Sequence, residues 1–143
     1  MKKEHYSKLE RMYISAPVNK FYNPAVKITK SCAEIIVKIR PEFFHAANAV
    51  HGSVYFKLLD DAAFFAVNSL VEDVFVLTVS FNLHFLRPVS SGEIKAAGRA
   101  VHSGRRMFLA ESVLYDSEGR EIARGSGSFM KSKMPLTAEI GYL

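Results

Sequence analysis

The sequence predicts an α+β domain in which an antiparallel sheet wraps around one long central helix. Three observations carry this expectation. The run from Gly52 to about Leu70 has no proline and is apolar on nearly every side, the pattern of a helix buried in a core. Two short strand-like segments precede it and four follow. Turn residues separate those four, so they form a meander and not alternating βαβ units.

Taken in order, residues 1–24 look like an N-terminal extension. Lys3 to Ile14 can form a short amphipathic helix with Tyr6, Leu9, Met12 and Tyr13 on one side, before Pro17, Asn19, Asn23 and Pro24 break regularity. The domain itself is expected over residues 25–131. Val26 to Cys32 is the first strand. Glu34 to Arg40 is the second, β-branched and stopped by Pro41. Beyond the helix, Val74 to Arg87 alternates. Thr78, Ser80, Asn82 and His84 fall on one face, and Leu77, Val79, Phe81, Leu83 and Phe85 on the other. Pro88 and Ser90-Ser91-Gly92 end that strand. Glu93 to His102, Arg105 to Tyr115 and Glu121 to Lys131 complete the meander, turned by Ser103-Gly104 and by Asp116-Ser117-Glu118-Gly119. Residues 132–143 form a C-terminal tail without a clear pattern. One sheet closes only one side of such a helix, so a second subunit is the natural lid.

At 143 residues the chain has the size of one domain. No apolar run approaches the ~20 residues of a membrane span, so no membrane partner is expected. The start, Met1 to Tyr6, has no apolar stretch behind its lysines, which predicts no secretory leader. Cys32 is the only cysteine; it excludes an intramolecular disulfide and suits a cytoplasmic location. The net charge of +5 comes from scattered lysines and arginines, with no dense basic block. A small phosphate-bearing ligand is therefore expected in preference to nucleic acid. The five histidines and one cysteine show no metal-ligand spacing, so no metal is expected.

The residues that suggest chemistry sit at the start of the long helix. Gly52 opens it, and its N–H can point at a ligand carbonyl without a side chain in the way. The same glycine could merely end a loop. Asp60 and Asp61 are adjacent, so on a helix they diverge by about 100°. Asp60 lies between Phe56 and Phe64 on the apolar stripe, where a carboxylate needs a partner or a task. Asp61 follows Lys57 by four residues and can pair with it on a more polar side. Asn48 stands where the turn before the helix calls for a positive φ. His51 is either a structural hydrogen-bonder at the bend or a catalytic group. Tyr55, Phe56 and Phe64 add apolar side chains near Asp60.

At these positions the chain resembles the hotdog-fold thioesterases, in particular the PaaI-like acyl-CoA thioesterase branch. The family pattern is Asn-x-x-Gly-x-x-His-Gly-Gly with an acidic residue nine positions after the histidine. Here the stretch is His45-Ala46-Ala47-Asn48-Ala49-Val50-His51-Gly52-Ser53, with Asp60 nine after His51. Thr78 to Pro88 resembles the family's central strand, and Ser103-Gly104-Arg105-Arg106 its turn. The resemblance covers about residues 25–131. It implies a hotdog fold and hydrolysis of an acyl-CoA to a free acid and coenzyme A. No cofactor is implied, because coenzyme A is part of the substrate.

The same resemblance implies a homodimer or homotetramer with composite sites. The Gly52 N–H would polarise the thioester carbonyl, and Asp60 would attack it or activate water. Thr78 would reach across from the other subunit. His51 and His45 are further catalytic candidates. Ser53, Phe56 and Phe64 would border the acyl group, and Gly104, Arg105 and Arg106 would meet the nucleotide phosphates. Three positions depart from the pattern. His45 replaces the asparagine and loses its amide, Asn48 replaces the turn glycine, and Ser53 replaces the second helix glycine, where its hydroxyl would narrow the acyl entrance. The alternative is a non-catalytic acyl-CoA-binding hotdog module with a regulatory role. Hydratase chemistry fits less well, since Leu59 occupies the position of that branch's glutamate.

Overall fold

A computed structural model describes residues 2–143 of the chain. Helix α1 (Lys2–Ser15) and the short α2 (Asn19–Tyr22) lead into β1 (Ala25–Thr29) and β2 (Cys32–Lys38). Then come the central helix α3 (Gly52–Asn68) and four strands: β3 (Val74–Phe85), β4 (Glu93–Ser103), β5 (Met107–Tyr115) and β6 (Glu121–Pro135). The six strands form one antiparallel sheet in the order β1-β2-β4-β5-β6-β3. This is the wrapped sheet expected from the sequence. Leu58, Leu59, Ala62, Ala63, Ala66 and Val67 of α3 are fully buried against it. No helix is long and apolar enough to cross a membrane among the described residues.

Two contacts explain how closely α3 lies on the sheet. At Gly98 in β4, an added Cβ would fall 2.3 Å from the Ala62 carbonyl group, so only glycine lets the backbones meet. In β5, the Ser112 hydroxyl donates to the Leu59 carbonyl at 2.7 Å.

The expected alternation of β3 is broken in the middle. Thr78 pairs with Phe129 and Ser80 with Ser128, so Val79 is an extra residue, a β-bulge. Before the bulge, Val76 and Thr78 face the helix; after it, Phe81 and Leu83 pack on the core instead. The Phe81 ring lies over Gly125 and Gly127 of β6, where any Cβ would clash with it. The bulge thus turns Thr78 inward although it shares sequence parity with Asn82.

The terminal segments also differ from expectation. Of the expected extension 1–24, the described residues 2–24 pack onto the domain. Leu9, Met12 and Tyr13 of α1 are buried in the same core cluster as α3, and the Tyr13 ring meets Phe65 edge-on at 5.0 Å. Ile28 of β1 donates its N–H to Glu10 at 2.7 Å. The buried His5 ring bridges the Asn68 carbonyl and the Tyr142 hydroxyl, tying the tail to α1 and α3. Strand β6 runs four residues past the expected boundary at 131, to Pro135. The α1 stripe therefore covers part of the side of α3 that the sequence reading left wholly to a second subunit.

Candidate active site

The bend before α3 is built as its residues suggest. Asn48 has φ 63°, the left-handed conformation that asparagine tolerates. His51 is the N-cap of α3, and its Nδ1 accepts the Ser53 N–H at 2.9 Å. The Ser53 hydroxyl lies 2.8 Å from the same nitrogen. His51 therefore serves as the helix cap, and the Ser53 hydroxyl turns toward it. The Val54 N–H goes to the His51 carbonyl. That leaves the Gly52 N–H, for which no acceptor occurs among the described residues.

Gly52 borders a cleft of about 390 Å³ with His45, Val50, Tyr55 and Phe85 to Pro88. The Phe85 ring lies 3.1 Å from where a Gly52 Cβ would be, so a side chain there would press on that ring. His45 Nδ1 accepts the Ala47 N–H, so a neutral ring carries its proton on Nε2. Tyr55 is buried, and its hydroxyl donates to the Arg87 carbonyl at 2.7 Å. It belongs to this cleft and not to the surroundings of Asp60.

Asp60 lies elsewhere. Eight residues along a helix amount to about 12 Å of rise, so Gly52 and Asp60 of one chain cannot act on one carbonyl. Asp60 opens on a second, larger cavity of about 900 Å³. Phe64, Phe65, Phe75, Leu77 and Thr78 line it, together with parts of the N-terminal segment (Met12, Tyr13 and 15–19) and of the tail (Met134, 138–141 and Leu143). Thr78 donates to Asp60 Oδ1 at 2.9 Å within the same chain. The expected reach across a subunit boundary is thus replaced by an intrachain bond, a consequence of the bulge at Val79. Burial pushes the Asp60 carboxyl up to about 6; the Thr78 bond opposes this, the neighbouring Asp61 adds to it, and Lys57 opposes it.

Asp61 is paired, as its spacing suggested, though it is half-buried. Lys57 bonds its Oδ2, and the Tyr13 hydroxyl donates to the same oxygen at 2.7 Å. Phe64 lines the Asp60 cavity, whereas Phe56 is 40% exposed and stacks edge-on with Phe81 outside it. Gly104, Arg105 and Arg106 border a separate cleft with His102 and Met107. Both arginines are exposed, and within one chain none of these residues meets Asp60 or Gly52. The sequence reading missed the cavity walls that the N-terminal segment and the tail supply. The α1 stripe of Leu9, Met12 and Tyr13 was the only signal for them. Among the described residues, no three His, Cys, Asp or Glu side chains are placed to hold a metal.

The family model for the thioesterase superfamily matches residues 47–123. The match includes the bend, α3 and β3, and it leaves out both segments that wall the Asp60 cavity. A Mycobacterium tuberculosis relative named "putative esterase" is 34% identical over 91 residues, covering 61% of this chain. The aligned region spans 65% of that relative's length. Its solved structure superposes with a TM-score of 0.77 at 25% identity, covering 82% of this chain and 97% of that one. The E. coli PaaI protein from the phenylacetic acid degradation operon superposes with a TM-score of 0.86 at 17% identity, over 95% of this chain and 99% of its own. The fold is the hotdog fold.

Proposed function

We propose, from the premise that this chain belongs to the thioesterase superfamily, that it hydrolyses an acyl-CoA thioester to a carboxylic acid and free coenzyme A. The observation that carries this reading is Asp60. Its carboxylate is held by Thr78 at the wall of a cavity whose size suits a small-molecule site. With a carboxyl pushed up to about 6, it is ionised at neutral pH and still basic enough to take a proton. Asp60 either attacks the thioester carbon or takes a proton from a water that does. The carbonyl oxygen gains negative charge, and the Gly52 N–H at the helix start stabilises it. Collapse of the intermediate expels the thiolate, which is protonated to the free thiol. Where water attacked, the acid is already formed; where Asp60 attacked, water then hydrolyses the acyl-aspartyl anhydride to the acid and restores the carboxylate. No cofactor takes part.

A homodimer would assemble this site. Strand β3 is a free sheet edge carrying exposed Leu77, Val79 and Phe85. The Asp60 cavity touches β3 near its start, at Leu77 and Thr78, and the Gly52 cleft touches its end, at Phe85. Two copies pairing their β3 strands antiparallel set one start beside the partner's end. The Asp60 cavity of one protomer then adjoins the partner's Gly52 cleft. The apolar walls at Phe64, Phe75 and Leu77 favour a medium or long acyl chain or an aryl group. Exposed Arg105 and Arg106 offer partners for coenzyme A phosphates.

The test is thiol release from a panel of acyl-CoAs by wild type and Asp60→Asn. The expected result is turnover by wild type and a loss of about 100-fold or more in the variant. Equal, near-background rates in both, with tight acyl-CoA binding retained, would instead identify a non-catalytic binding module.

A further inference from the structure

We infer that Lys57, Asp61 and Tyr13 form a positioning network, contributed by α1 and α3 together, that sets the charge balance around Asp60. The inference rests on the reading of Asp60 as the hydrolytic carboxylate. Two adjacent carboxylates on a half-buried helix face repel each other. Here one of them, Asp61, is tied down. Lys57 bonds its Oδ2 and Tyr13 donates to that same oxygen at 2.7 Å. The ammonium is further held over two rings, 5.1 Å from the centre of Tyr13 and 4.8 Å from that of Tyr22. The Lys57 side chain is only 14% exposed and that of Asp61 20%, so water screens the pair weakly.

All three residues line the cavity into which Asp60 opens, yet Asp60 bonds Thr78 and takes no part in the cluster. Lys57 and Asp61 therefore act on it through space and with opposite sign. Asp61 favours the protonated acid, Lys57 the carboxylate. The other titratable groups on the cavity are Tyr13, kept protonated by burial and by Asp61, and Glu139 on the C-terminal turn. Neither replaces Lys57 as a counter-cation. Because α1 supplies Tyr13, the N-terminal segment outside the family match reaches into the electrostatics of the site.

The consequence is a pair of opposed shifts that loss of packing alone would not produce. The Asp60 carboxyl is followed by carbon-13 NMR titration of the full chain, beside the pH profile of thiol release. Lys57→Met is expected to tighten proton binding at Asp60 about threefold or more, and Asp61→Asn to weaken it by a similar factor. Tyr13→Phe should tighten it less than Lys57→Met does. Lys57→Arg, which keeps the charge, should titrate like wild type. If Lys57→Met does not fold, Lys57→Gln and Asp61→Asn carry the same contrast. Shifts of one sign in both charge variants, or no shift in either, overturn the network. The titration decides this without turnover. If Asp60→Asn hydrolyses as fast as wild type, the functional reading fails separately.

Discussion

Asp60 binds a proton more tightly in the folded protein than in the unfolded chain, since burial lifts its carboxyl from an ordinary 3.8 to about 6. The sign of the linkage follows. Proton binding stabilises the fold fully below about pH 4, and this contribution is lost as pH rises through about 6. At pH 7 the buried charge is a net cost. Allowing for the partial exposure of the group, Asp60→Asn should gain about 1–2 kcal/mol at pH 7 and little at pH 4. Urea denaturation at the two pH values measures this; an equal gain at both would contradict it. Thr78 has the opposite influence, because its hydroxyl favours the carboxylate. In Thr78→Val the acid limb of kcat/KM should move up by about half to one pH unit; an unmoved limb would show that the bond does not bear on the titrating group. The burial of Asp60 was legible in the sequence because Phe56 and Phe64 flank it at helical spacing. The bond from Thr78 was not, since strict alternation puts Thr78 with Ser80, Asn82 and His84, and those three lie exposed.

At the scale of elements, period and punctuation in the sequence located the helix and all six strands. They could not locate the bulge at Val79, because pairing with β6 decides it. Phe81 needs the space above Gly125 and Gly127, and seating it there shifts the register by one residue. Nor did local pattern reveal that α1 belongs to the core; its stripe is short, and only the contacts of Tyr13 with Phe65 and Asp61 give it a place. The crossing of α3 over β4 is likewise a matter of tertiary approach. It allows a direct test at Gly98. An added methyl there would meet the Ala62 backbone at 2.3 Å, and backbone cannot swing aside as a side-chain tip can. Gly98→Ala should therefore cost about 2–3 kcal/mol, read from the urea midpoint at constant slope. A change within about 0.5 kcal/mol would mean that α3 lifts off β4 freely.

At the scale of the whole molecule, the decisive fact is the separation of the two halves of the chemistry. The unpaired Gly52 N–H and the Asp60 carboxylate border different cavities of one chain, about 12 Å apart along the helix. Under the proposed function a site that needs both would draw them from two copies, and antiparallel pairing of the free β3 edges would join them. Complementation tests this. Gly52→Val should be inactive, since its side chain runs into the Phe85 ring and blocks approach to the N–H. Asp60→Asn should be inactive for lack of the carboxylate. In a dimer of one copy of each, one composite site carries both defects and the other carries neither. After unfolding and refolding an equal mixture, about half the dimers are mixed, so activity should recover to about a quarter of wild type. Each variant refolded alone should stay inactive. If both halves of a site came from one protomer, every site in the mixture would carry a defect and no activity would return.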